Sequence, residues 1–163
     1  MAGTIPEAEI VIKTASTKRD FDNGRALFMQ YADSLEFDLG FQNFSEELKT
    51  IDQQYNNPKG ALLLAYRKEM AVGCVGIREY DDDTAELKRL YVSPEYRNYK
   101  IGRKLLEMAI GIAKNLHYHH IRLDTAPGQE QAQNLYRVFG FYEIPSYRFN
   151  PVMGTVYMEK KLI

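Results

Sequence analysis

The sequence has little cysteine: Cys74 stands alone. No intrachain disulfide can form, and a cysteine-rich zinc site is excluded. Tryptophan is absent altogether. No apolar run approaches the ~18 residues that span a bilayer. Met1 to Ile10 carry acids and a proline instead of the basic start and apolar stretch of a signal peptide. The expectation is a soluble cytoplasmic protein with no membrane partner. An excess of either charge sign is also lacking: 21 Lys plus Arg against 22 Asp plus Glu leave a net charge of −1. That argues against nucleic acid as a partner drawn by the whole surface.

What is present fits one globular domain spanning 1–163, with 45% hydrophobic and 26% charged residues. Glu9 to Lys13 is rich in β-branched residues and reads as a strand. Ser16 or Thr17 caps a helix over Asp20–Leu35, and Ser45 starts a shorter one. Asn56 to Gly60 is a turn signal. Ala61–Tyr66, Ala71–Arg78 and Ala85–Val92 are strand runs with short links, which favours antiparallel hairpins. Cys74 sits inside the second run and reads as a small buried hydrophobe.

The third run breaks strict alternation. Ala85 and Leu87 share one face by parity, and Leu90 and Val92 the other. One extra residue between Leu87 and Leu90 restores a single buried face, so a β-bulge is expected there. Ile101, Leu105, Met108, Ala109, Ile112, Ala113 and Leu116 form a helical stripe. A strand at His120–Thr125 follows, then a helix through Ala132, Leu135, Tyr136 and Phe139 that Gly140 ends. Final strands lie at Phe141–Ile144 and Thr155–Lys160. The order βααβββαβαββ implies a single α/β domain with a mixed sheet flanked by helices, its strand–helix–strand units making parallel neighbours.

The junction between the third run and the long helix carries the densest chemistry. A strand feeds a loop, and the loop feeds a helix N-terminus whose first amides lack internal partners. Such a terminus suits phosphate or pyrophosphate. Arg97, Lys100, Arg103 and Lys104 add positive charge where it opposes the helix dipole, which is odd for stability alone. A solvated basic loop is the other explanation.

Glu86-Leu87-Lys88-Arg89-Leu90-Tyr91-Val92 followed by Arg97-x-x-Lys100-x-Gly102 resembles the acetyl-CoA-binding motif of the GNAT N-acetyltransferases. Ala132-x-x-Leu135-Tyr136-x-x-x-Gly140-Phe141 is similar to that family's second motif, and the order of elements matches. The resemblance implies a GNAT-like fold and acetyl-CoA as cosubstrate, attacked directly by an acceptor amine. It implies that strand amides around Leu90, Tyr91 and Val92 hold the pantetheine arm. Amides from Arg97 through Asn98, Tyr99, Lys100, Ile101 and Gly102 to Arg103 would hold the pyrophosphate. Asn98 and Lys100 stand where the family often has glycine, and Gln129 where many relatives carry a cofactor-contacting Asn.

Tyr136 aligns with the tyrosine that protonates the departing thiolate, and a phenol is protonated at neutral pH. Its other role is as a core aromatic. Glu86 aligns with the acidic general base. The alternative is a cross-strand partner for Lys88 or another cation. His117, His119 and His120 lie at a helix–strand junction without further ligands at helical spacing, and Asp81 to Asp83 lack the rest of a Ca²⁺ loop, so no metal is expected. The acceptor is expected near Phe41 and near Arg148 and Asn150, the last two suited to an acceptor carboxylate. The expected activity is acetyl transfer to a small-molecule amine. The alternatives are a protein or peptide amine, or a non-catalytic acyl-CoA-binding module. Family resemblance makes a homodimer plausible.

Overall fold

The computed structural model describes Glu9–Ile163; of Phe41 only the backbone is described. The elements are β1 (Ile10–Thr14), α1 (Lys18–Asp33), α2 (Phe44–Lys49), α3 (Ile51–Gln54), β2 (Ala61–Arg67), β3 (Met70–Glu79), β4 (Thr84–Val92), α4 (Ile101–Asn115), β5 (His120–Thr125), α5 (Glu130–Val138), β6 (Tyr142–Ile144) and β7 (Val156–Lys161). Short 3₁₀ turns cover Gly40–Gln42 and Pro94–Tyr99. Three helices, not two, separate the first strands. Thr50 leaves helical geometry at φ −111° and divides the second predicted helix into α2 and α3. Ser45 lies inside α2 instead of capping it. Asn43 takes that place in the left-handed region at φ 58°, which asparagine tolerates better than most residues.

Thr17 caps α1 reciprocally. Its hydroxyl accepts from the Asp20 amide at 3.1 Å, and the Asp20 carboxylate accepts from the Ser16 and Thr17 amides at 3.0 and 3.3 Å. Asp20 is buried, and it also takes the Tyr66 hydroxyl at 2.8 Å and Lys13 at 3.1 Å.

Seven strands form one sheet in the order β1-β2-β3-β4-β5-β7-β6. Every pairing is antiparallel except β4 with β5. The unit β4–α4–β5 therefore gives the expected parallel neighbours. The unit β5–α5–β6 does not, because β7 inserts between its two strands and pairs with both. One face of the sheet is covered by α4 and α5, whose Leu105, Leu106, Ala109 and Tyr136 join Ala85, Leu87, Ile121 and Leu123 in one cluster. The other face is covered by α1 to α3, where Leu27, Phe28, Ile51 and Tyr55 pack on Leu62, Leu64 and Cys74. Gly76 makes room there, since a Cβ on it would meet the Tyr55 ring at 2.6 Å. No helix among the described residues is long and apolar enough to cross a membrane.

Three buried carboxyls tie stability to pH. Burial alone raises the Asp20 carboxyl, but amides from Ser16 and Thr17, the Tyr66 hydroxyl and Lys13 outweigh it and hold it far below its ordinary value. Burial is likewise outweighed at Glu47 by Arg89, and at Glu86 by Lys88, Arg78 and Arg148. Depressed folded-state values mean that this stability is present above the unfolded values and is lost as pH falls through the folded ones. The urea midpoint is expected to hold from about pH 7 to about pH 5 and to fall below about pH 4.5. A midpoint unchanged at about pH 3 would contradict it.

Candidate active site

Hydrogen bonding between β4 and β5 is brief. Only Thr84–His120, Ala85–Ile121 and Glu86–Arg122 pair. Beyond Glu86 the strands part, and β4 bulges. Gly76 faces Lys88 and Cys74 faces Tyr91, so Val75 alone opposes Arg89 and Leu90. Arg89 carries the bulge in the left-handed region at φ 62°. The extra residue expected from the broken alternation is therefore present. It returns Leu90 and Val92 to the α4 side, with Ala85 and Leu87. The Cys74 thiol is buried beneath it and lies 3.3 Å from the Arg89 carbonyl. Burial pushes that thiol up, so no nucleophilic thiolate is available.

The parted strands open a cleft of about 560 Å³ between β4, α4 and α5. Leu90, Tyr91, Val92, Arg97, Lys100, Gly102, Arg103 and Gln129 all line it. Asn98 and Tyr99 lie in the 3₁₀ turn outside this lining, and the Ile101 side chain is buried in the core. Lys100 adopts φ 59° and is the N-cap of α4. An L-residue there costs roughly 1–2 kcal/mol, a cost glycine would not carry. The first intrahelical bond runs from the Lys104 amide to the Lys100 carbonyl at 3.2 Å. The amides of Ile101, Gly102 and Arg103 precede it and face the positive end of the helix dipole. Arg97 is braced by its Nε donating to the Val92 carbonyl at 2.9 Å and by the Tyr91 ring. Arg103 lies over the Phe139 ring. Amide donors and flanking guanidiniums fit a pyrophosphate-bearing cofactor.

At the closed end of the splay sits Glu86, 1% exposed. Arg78, its cross-strand partner, donates to Oε1 at 3.0 Å. Tyr147 donates to Oε2 at 3.0 Å, and Arg148 pairs with the same oxygen. The expected cross-strand cation is thus Arg78, while Lys88 shares Glu86's face two residues along. Lys88 is itself buried, with Nζ donating to Gln42 Oε1 at 3.2 Å. Burial and then Arg89 pull Lys88 down to about 8 against Glu86 and Asp124. The extra bulge residue, Arg89, is buried too and pairs with buried Glu47 through two hydrogen bonds of 3.0 and 2.7 Å.

Tyr136 is buried on α5 beside Phe141, ring centroids 5.6 Å apart. Burial raises its phenol, and Tyr31 and Asp124 add to that, so it remains a proton donor through neutral pH. Arg148 is engaged by Glu86, and Asn150 lines a different and smaller pocket, so the two residues expected to bind an acceptor carboxylate do not share one. The Phe41 side chain, also expected at the acceptor, lies outside the described residues.

The family model for GNAT acetyltransferases matches residues 27–141, which hold the bulge, the basic loop before α4 and Tyr136. The chain belongs to the GNAT acetyltransferase family. An uncharacterized N-acetyltransferase of Schizosaccharomyces pombe is 33% identical over 157 residues, covering 95% of this chain and 96% of that protein. A GNAT-family acetyltransferase from Staphylococcus aureus superposes with a TM-score of 0.78 at 25% identity, covering 94% and 99% of the two chains. The PaiA N-acetyltransferase of Thermoplasma acidophilum, solved in complex with coenzyme A, superposes with a TM-score of 0.69 at 21% identity, covering 93% and 98%.

As a GNAT enzyme the chain carries out acetyl-CoA-dependent acetylation. Against that chemistry, reading the sequence missed Lys88, Arg89, Glu47 and Asp124 as members of the splay. Arg89 was findable, because the bulge that broken parity demands must fall on it or its neighbour. Glu47 read as a helix-dipole acid, and nothing in the sequence ties it to a residue 42 positions away. Asp124 is a charged residue between Leu123 and Thr125, which both point to the core.

Proposed function

We propose that this GNAT enzyme transfers the acetyl group directly to the amine of a small molecule. The observation that carries it is the cover that Tyr147 and Arg148 place over Glu86, beside a pocket of about 510 Å³ that Glu86 and Arg148 line. Tyr147 and Arg148 cross over Glu86 from the β6–β7 loop, and Tyr147 packs edge-on against Tyr80 at 5.2 Å and Tyr157 at 5.3 Å. A pocket of that volume suits a small ligand, and a peptide acceptor would call for a longer groove. Acetyl-CoA supplies an activated thioester when bound. Amides at the β4 bulge polarise the carbonyl and orient it, and the helix terminus with Arg97, Lys100 and Arg103 holds the pyrophosphate. Tyr136 gives its proton to the leaving sulfur. Glu86, held ionised by its cations, orders the amine or the water through which the amine's proton leaves.

Thiol release with acetyl-CoA and matched panels of small amines and N-terminal peptides tests this reading. Turnover confined to small amines is expected. Turnover confined to peptides would favour the protein acceptor, and tight CoA binding with no turnover would favour a binding module. With a turned-over amine, Glu86→Gln is expected to cost roughly 10²-fold near pH 6 and much less near pH 9, where bulk solvent deprotonates the amine. An unchanged pH–rate profile would remove Glu86 from proton handling.

A further inference from the structure

The register draws one row of side chains across the sheet. Glu86 on β4 pairs with Arg122 on β5, Arg122 with Glu159 on β7, and Glu159 with Tyr142 on β6. Arg78 on β3 opposes Glu86 from its other side. Directly opposed residues project from the same face, so the four charges alternate in sign along one line. Arg122 occupies the last rung before β4 and β5 part. Its Nε and Nη2 donate to one Glu159 oxygen at 3.2 and 2.6 Å, and the Tyr142 hydroxyl donates to the other at 3.1 Å.

The Tyr147 ring rests on this row. The Arg122 guanidinium lies 4.9 Å from its centroid and 4.8 Å from that of Tyr80, and the Arg122 side chain is only 20% exposed. A guanidinium over an aromatic face is held by the ring quadrupole, more strongly where water is kept away. The segment that carries Tyr147 has little else to hold it. No residue from 145 to 155 is buried, and Phe149 and Met153 project into solvent. A loop without buried apolar contacts lies at the low end of local stability. The Tyr80 and Tyr157 hydroxyls donate to the carbonyls of Tyr147 and Arg148 at 3.4 and 3.2 Å. Those bonds gather at the same two residues as the stack on Arg122.

We propose that Arg122 is a positioning residue for acetyl transfer. It seats the Tyr147 ring and so holds Tyr147 and Arg148 over Glu86, beside the acceptor pocket that Arg148 lines. Arg122 acts through Tyr147 and sets acceptor binding. The consequence for the acceptor rests on the acetyltransferase reading above, whereas the seating of the loop does not.

Amide hydrogen exchange of residues 145–155 in the full chain tests the seating. Arg122→Met keeps the length and removes the charge, and is expected to speed that exchange roughly tenfold or more. Arg122→Lys keeps a cation at the ring and is expected to stay within about threefold of the wild type. In a Tyr147→Ala background, Arg122→Met is expected to add no further acceleration. Calorimetric titration with coenzyme A is expected to give one affinity for the wild type, Arg122→Lys and Arg122→Met, which shows that the variants are folded. With an amine turned over in the panel above, Arg122→Met is expected to raise the acceptor KM about fivefold or more and to leave kcat within about threefold. Unchanged exchange in Arg122→Met would overturn the proposal. Equal acceleration in Arg122→Lys, or full acceleration persisting without the Tyr147 ring, would do the same. A fall in kcat at constant KM would remove Arg122 from acceptor binding. Absent coenzyme A binding by the wild type would sink the acetyltransferase reading and leave the exchange to judge the loop. Should Arg122→Met not fold, Arg122→Gln against Arg122→Lys gives the same comparison.

Discussion

Glu47→Ala is expected to destabilise the fold by about 3–5 kcal/mol. The Arg89–Glu47 pair is buried on both sides, at 3% and 2% side-chain exposure. Removing the carboxylate strands a guanidinium in the core and deprives the Tyr55 hydroxyl of its acceptor at 2.8 Å. The effect exceeds that of a surface pair because the surviving charge cannot be hydrated. Lys18→Ala, which breaks the exposed pair with Asp22, is expected to leave the urea midpoint where it is. The double variant Glu47→Leu/Arg89→Met should recover most of the loss, since it leaves neither charge unpaired. A fall in midpoint for Glu47→Ala no larger than for Lys18→Ala would show that the pair contributes nothing. The bulge conformation would then owe its stability to packing alone.

The second large effect is kinetic. Tyr136→Phe is expected to lower kcat by roughly 10²-fold or more while leaving the affinity for coenzyme A within about twofold. The ring remains to pack on Phe141, so only the proton donor is lost. The phenol's raised proton affinity suits a donor that must stay protonated before the sulfur leaves. Equal loss of kcat and of thermal stability would assign Tyr136 to the core instead. Comparing rates with acetyl donors whose leaving thiols differ in pKa separates the two, because a proton donor matters most for the poorer leaving group.

Much of this architecture was legible because local patterns and tertiary demands agree. The α4 stripe, the Thr17 cap and the strand runs around Cys74 each follow from spacing and side-chain type. The bulge was legible for a sharper reason: parity that fails within one strand has few geometric remedies. What stayed hidden depends on contacts that no local pattern encodes. The insertion of β7 between β5 and β6 is a matter of where a long loop returns. The Thr50 break is followed at once by Ile51 and then Tyr55, both fully buried beneath the sheet. The splay's polar interior was half visible. Glu86 and Tyr136 were singled out through resemblance to a family and the loop before α4 through its cations and helix start as well, while the burial of Lys88 beside Asp124 and Glu47 emerges only when three distant segments meet.

The brevity of the β4–β5 pairing has a mechanical meaning. Three rungs join a four-stranded half to a three-stranded half, and past them each strand shows the other an edge without a ladder. On the proposed reading, a ligand arm laid along that seam would occupy the place of missing main chain and so complete the sheet as well as feed the reaction. Amides along the seam are then expected to exchange with solvent slowly with coenzyme A bound and faster without it. Product departure would then reopen the sheet along this seam while the three rungs hold.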